Sequence, residues 1–129
     1  MKVIAAIPRI LLGLSFCIFG LNGFLHFLSA PMPPGLAGQF ASAMFGSSFY
    51  ALVFGVQLLA GVLLLVNRYV TLAVILLGAV IAKILMFHIA MAPAGIGPGV
   101  IVALLWCTVG YQIRSNLRPL FASKVIKAN

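Results

Sequence analysis

Lys83 and His88 stand inside "LAVILLGAVIAKILMFHIAMAPAG", the run from Leu72 to Gly95, which is otherwise apolar. An ammonium group in such a run needs a partner, and the chain offers none of opposite charge: of 129 residues, 8 are Lys or Arg and none is Asp or Glu. The other polar side chains set in apolar runs are Gln57, and Asn22 and His26 at i and i+4, a spacing that puts the last two on one helical face. An uncompensated lysine at the centre of a membrane helix costs roughly 2.5 to 3.5 kcal/mol on insertion scales. One or two amide acceptors offset part of that. Full neutralisation requires a deprotonated Lys83, a bound anion or ionised ligand, or an acid on another subunit. Two readings of Lys83 follow: a lysine held by amides, carbonyls and water that glues helices together, or the centre of a ligand or partner site. Asn22 and His26 have the same two readings. His26 and His88 together would give a metal two nitrogen ligands with no acid or thiolate nearby, so no metal site is assigned, and no residue is assigned as catalytic.

The elements that carry these residues are set by composition. With 64% hydrophobic and 6% charged residues the chain is far from the globular norm of roughly a quarter charged, and it reads as a membrane protein in one transmembrane domain, residues 1–129. Apolar runs cover about 7–28, 49–66, 70–90 and 99–113. The first and third suffice for a hydrocarbon core that takes about 20 residues to cross, and the fourth borrows from its flanks. Because an open sheet edge cannot face lipid, the runs are predicted to be helices, an all-α four-helix bundle. "SAPMPPGLAG", "NRY" and "APAGIGPG" punctuate them. The turn at Asn67–Tyr69 is short enough to make the second and third runs antiparallel neighbours. Phe40, Ala43 and Met44 between Leu36 and Phe45 suit a short interfacial helix. Gly13, Gly20, Gly23, Ala51, Gly55, Gly78, Ala82, Ala103 and Cys107 are small residues of the kind that let helices approach in lipid.

Every basic residue except Lys83 falls on one side of these runs: Lys2 and Arg9 at the first, Arg68 between the second and third, and Arg114, Arg118, Lys124 and Lys127 after the fourth. The positive-inside bias then puts both termini in the cytoplasm, with Tyr50, Tyr69 and Tyr111 at span ends as interfacial aromatics. This placement argues against a nucleic-acid footprint. The basic tail 114–129 is a topology determinant, or a surface lying on anionic headgroups through Arg114, Arg118, Lys124 and Lys127 with Leu117, Leu120 and Phe121 dipping in. Arg9 interrupts the first run and no clean cleavage site follows, so the run is expected to be retained rather than removed as a signal peptide. Cys17 and Cys107 belong to no C-x-x-C pair and read as free thiols.

Counting about 1.5 Å per residue from the cytoplasmic ends, Lys83 and Asn22 lie roughly 20 Å up, Gln57 roughly 14 Å, and His26 and His88 roughly 27 Å. Helical side chains lean toward their own N-terminus, so Lys83 leans back into the core and Gln57, on an antiparallel helix, leans toward it. A Gln57–Lys83 hydrogen bond is expected, with Asn22 as a second acceptor. His88 lies about 140° round the helix from Lys83 and is not expected to share its face. The phenylalanines Phe16, Phe19, Phe24 and Phe27 read as lipid-facing or packing residues.

"GLNGFLHFL" followed by "PMPPG", then "LLAGVLLLVNRYVTLAV", "AKILMFHIAMAPAGIGPG" and "SNLRPLF" occur in this order over roughly residues 9–121. The set resembles the DoxX-like family, small four-helix proteins of the bacterial cytoplasmic membrane. The resemblance implies association with membrane redox complexes, since the family takes its name from subunits associated with a thiosulfate:quinone oxidoreductase. Asn22, His26 and His88 match the family pattern. Two positions depart from it: Gln57 stands where a glutamate is common and Lys83 where an asparagine is common, which leaves the layer polar but puts in doubt any proton chemistry that used the glutamate.

Two functions fit. One is a non-catalytic or accessory subunit whose Lys83 layer meets an acidic group on another membrane subunit or a lipid, with a homo-oligomer as one form of that assembly. The other is a quinone-linked component in which Asn22, Gln57 and Lys83 hydrogen-bond a quinone carbonyl or semiquinone anion, with His26 and His88 nearby. The chain has no haem or iron–sulfur ligand set, so electrons would come from another subunit. A small exporter suits the size, but cation exporters of that kind use an intramembrane acid. Four-helix quinone–thiol enzymes need cysteine pairs, and glutathione-handling ones need glutamate and arginine signatures that this chain lacks.

Overall fold

The computed structural model describes residues 2–28 and 30–125, so Lys127 lies outside the described residues. It is all-α, with no strand among the described residues. Helix α1 runs over Lys2–Leu25, α2 over Gly35–Gly46, α3 over Phe49–Leu65 and α4 over Val70–Met91. A 3-10 turn at Pro93–Gly95 leads into α5, Ile96–Gln112, followed by α6, Arg114–Leu117, and a second 3-10 turn at Arg118–Phe121. Helices α1, α4 and the stretch Pro93–Gln112 are long and apolar enough to cross a membrane. The pair α2 and α3, bent by 87°, makes a fourth candidate if taken as one span.

The exterior explains why lipid is the surrounding solvent. Leu52, Leu59, Met86, Ile89, Ile101 and Leu104 are each more than half exposed, on several helices at once. Soluble monomers rarely leave contiguous apolar patches beyond a few hundred Å² open to water, whereas acyl chains solvate such a surface without cost.

Inside, packing depends on glycine. The closest pair is α1 with α3, where a Cβ on Gly20 would lie 2.8 Å from the Leu58 backbone nitrogen and one on Gly61 would lie 2.8 Å from that of Cys17. Backbone cannot give way as a side-chain tip can, so these two positions admit only glycine at this separation. Gly78 makes room on α4 for Trp106 of α5, whose Nε1–H donates to the Val74 carbonyl at 2.8 Å. The small residues expected to join helices divide accordingly: Gly13, Gly20, Gly23 and Gly78 face neighbours, while Gly55 meets nothing and Cys107 is exposed. Cys17 and Cys107 are free. The long helices pack as a ring, α1 on α3, α3 on α4, α4 on α5 and α5 on α1. The buried core at its middle includes Leu12, Phe16, Leu64, Leu77 and Val109.

The helix ends depart from the sequence reading where side chains intervene. α1 begins at Lys2 rather than about residue 7 and stops at Leu25 rather than 28. His26 turns left-handed (φ 53°), and the Asn22 Oδ1 accepts from the Leu28 N–H at 2.7 Å. α3 ends in a Schellman motif: Asn67, left-handed at φ 57°, donates to the Leu64 carbonyl, and Arg68 N–H to that of Leu63. Arg9 of α1 donates to the Leu64 carbonyl as well, placing a cation on the negative end of the α3 dipole.

Candidate functional site

All four long helices line one cleft of about 270 Å³. α1 contributes Phe16, Phe19 and Asn22, α3 Phe54 and Gln57, α4 Lys83, Ile84, Phe87 and His88, and α5 Pro98, Gly99 and Val102. The structure thus brings Asn22, Gln57, Lys83 and His88 together and leaves His26 out. His26, exposed beyond the end of α1, packs its ring 5.4 Å from Phe45 instead. Lys83 and His88 share the cleft despite their separation round the helix. At about 100° per residue, Phe87 and Ile84 fall between them, so the cleft takes up the whole arc of α4 from Lys83 to His88. Counting by face treated a helix as having one inward direction, and a cleft of this width admits several.

The polar groups have distinct states. Gln57 is 3% exposed, the one polar side chain in the buried core among the described residues. Among the described residues, neither Gln57 nor Lys83 is hydrogen-bonded, so the expected Gln57–Lys83 bond is not made. Opposite lean offsets a height difference of roughly 6 Å, but it brings two side chains toward one layer without fixing their rotamers. Among the described residues no side-chain polar atom is sealed away from both partners and space, so the Gln57 amide opens to the cleft it lines. Asn22 differs: its oxygen is occupied by the Leu28 N–H, which leaves the amide N–H pair as its free donors. His88 Nδ1 lies 3.1 Å from the Ala92 carbonyl. A carbonyl only accepts, so Nδ1 carries the proton, and in the neutral ring Nε2 is a lone-pair acceptor. Gly95 permits that arrangement, since a Cβ there would fall 2.9 Å from His88 Cε1.

Sequence reasoning missed the walls. Phe16 and Phe19, read as lipid-facing or packing residues, line the cleft with Phe54 and Phe87, although Phe16 is also packed in the buried core. The available signal was the i, i+3, i+6 spacing of Phe16, Phe19 and Asn22, which keeps the three on one side of α1. Over the outer ends of these walls lies α2. Phe40 packs 5.5 Å from Phe87, and Phe45 packs 5.6 Å from Phe54, ring centre to ring centre. The helix predicted over Leu36–Phe45 therefore exists, one residue longer at each end, and it buttresses the cleft.

The basic end is built by contacts across the chain. Besides Arg9 on α3, Gln112 donates to the Ala5 carbonyl at 3.0 Å, and Asn116 meets Thr71 at 3.3 Å. The start of α1, the turn between α3 and α4, and the end of α5 thus meet at one end, with Lys2, Arg68, Arg114, Arg118 and Lys124 exposed there. Arg114 folds over its neighbour, its guanidinium carbon 4.2 Å from the Tyr111 ring centre. Leu120 and Phe121 are exposed, whereas Leu117 packs against the core rather than projecting outward.

Among the described residues, no three His, Cys, Asp or Glu side chains lie close enough to hold a metal ion. Comparison of the chain with protein-family models, curated proteins and solved structures finds no match.

Proposed function

We propose that the chain is a DoxX-like four-helix protein of the bacterial cytoplasmic membrane, with both termini cytoplasmic, acting as an accessory subunit of a membrane redox complex that holds a quinone headgroup in the Lys83 cleft. One observation carries the reading: Gln57, 3% exposed, and Lys83 line a cleft walled by phenylalanine rings and have no hydrogen-bond partner among the described residues. Buried polar groups are nearly always hydrogen-bonded, and the Gln57 amide, open to the cleft, has its donors and its acceptor free for a ligand there. A ligand oxygen between Lys83 and Gln57 would satisfy both, and a planar ring would stack or pack edge-on against Phe16, Phe19, Phe54 and Phe87. A cavity of about 150 Å³ accommodates benzene in a soluble protein, so this cleft has room for a larger ring.

The residues suit binding better than catalysis. Lys83 donates, Gln57 donates and accepts, the Asn22 amide donates, and the rings form apolar walls. Electrons would be delivered by another subunit, which fits an accessory role. The test is extraction of lipids from protein purified in mild detergent. A quinone at about one per chain, lost in Lys83→Ala and Gln57→Ala, is the expected result; wild-type protein free of quinone when prepared from quinone-replete membranes would refute the ligand. Recovery of the protein without any co-purifying membrane partner would refute the subunit role.

A further inference from the structure

The polar inventory of the cleft is lopsided. Lys83, when charged, brings three donors and no acceptor, the free part of Asn22 is donor only, Gln57 is the one amide of the lining with both functions uncommitted, and His88 Nε2 adds one acceptor. The 129 residues include no Asp or Glu side chain to set against the Lys83 ammonium. A neutral carbonyl would satisfy the hydrogen bonds but leave the charge uncompensated at a cost that is severe in low dielectric. An acid on a neighbouring protein would have to reach past the phenylalanine walls to the layer where Gln57 is buried. What fits all three conditions is an anion small enough to enter, flat enough for the rings, and carrying its charge on oxygen.

We propose that the cleft is a receptor for a planar aromatic oxyanion, a carboxylate or phenolate on one or two fused rings, with its oxygen bound between Lys83 and Gln57. The proposal rests on the reading of the cleft as a ligand site, but not on quinone chemistry. The oxyanion accepts charge-assisted hydrogen bonds from Lys83 and from the amide N–H groups of Gln57 and Asn22. The ring fills the space between Phe16, Phe19, Phe54 and Phe87. An ionised hydroxyquinone and an aromatic carboxylate share this chemistry.

The experiment uses the full chain in phosphatidylcholine nanodiscs at neutral pH, with equilibrium dialysis of 2-naphthoate, its neutral isostere 2-naphthamide, and 1,4-naphthoquinone. Naphthoate is expected to bind saturably at one per chain, about tenfold or more tighter than naphthamide, the scale of a charge-assisted over a neutral hydrogen bond. Lys83→Gln should bring the two probes together, and Lys83→Arg should preserve the preference. If the wild type binds naphthamide as well as naphthoate, the proposal is wrong, a result that needs no variant to fold; naphthoquinone binding in that case leaves the quinone reading intact. Naphthoate bound with naphthoquinone excluded supports the oxyanion and removes the quinone. Naphthoate binding unchanged in Lys83→Gln places the anion on the basic end and overturns the proposal. Failure of all three probes overturns both readings.

Discussion

Gln57 separates folding from binding. Its side chain is almost fully buried and makes no hydrogen bond among the described residues, so Gln57→Leu replaces an amide whose polar atoms open only to the cleft by an apolar side chain. The variant should be as stable as the wild type or more stable, by up to about 1 to 3 kcal/mol, in thermal or denaturant unfolding in detergent, while losing the ligand. A large loss of stability would show that the amide has a structural partner. Asn22→Ala should behave the other way. It removes the acceptor for Leu28 N–H, costing about 1 kcal/mol, and the loop after α1 should gain amide hydrogen exchange. The candidate cluster was largely legible because polar residues inside apolar runs are costly: Asn22, Gln57, Lys83 and His88 stand out on chemistry alone, but so does His26, which lies outside the cleft. Their states were not. The oxygen of Asn22 is claimed by a residue beyond the helix end, and the His88 proton is set by Ala92 across a turn whose geometry depends on Gly95.

At the scale of the helices, the α1–α3 seam is the feature most sensitive to sequence. Gly20→Ala would place a methyl group 2.8 Å from the Leu58 backbone nitrogen, where relief requires the helices to separate. A destabilisation of about 1 to 3 kcal/mol is expected, read as a lowered unfolding midpoint. Gly55→Ala on the same pair of helices meets nothing and should be neutral, or slightly stabilising through helix propensity. Both glycines read alike in sequence as small residues suited to close approach. Rotation of each helix about its axis decides between them, and no pattern in a uniformly apolar span reveals it. The boundaries were legible at Val70, where "NRY" interrupts the apolar run, and they failed at Leu25, where His26 rather than glycine takes the left-handed position. α2 was legible only as a weak amphipathic stretch. Its bearing on the cleft comes from Phe40 and Phe45, so Phe45→Ala should loosen the stack on Phe54 and speed ligand release more than it weakens folding.

For the whole molecule, the dominant asymmetry is charge. Contacts from Arg9, Gln112 and Asn116 tie the basic ends of the helices into one pole, and the opposite pole around α2 carries none of the basic residues. In a background with Cys17 and Cys107 replaced by alanine, Ser42→Cys in α2 should react with an impermeant maleimide on intact cells. Ser115→Cys in α6 should react only after the membrane is opened, and the reverse pattern would overturn the assigned orientation. The location of Lys83 has a further bearing. In the proposed orientation it would lie roughly 20 Å along a slab about 30 Å thick, part-way through the electric field that a living membrane maintains. A full unit charge crossing that field changes energy by about 2.3 kcal/mol per 100 mV, so an anion reaching Lys83 from the α2 pole would cross roughly a third of the voltage drop, worth somewhat under 1 kcal/mol. Cellular energisation, rather than ligand concentration alone, would then set how often the cleft is filled.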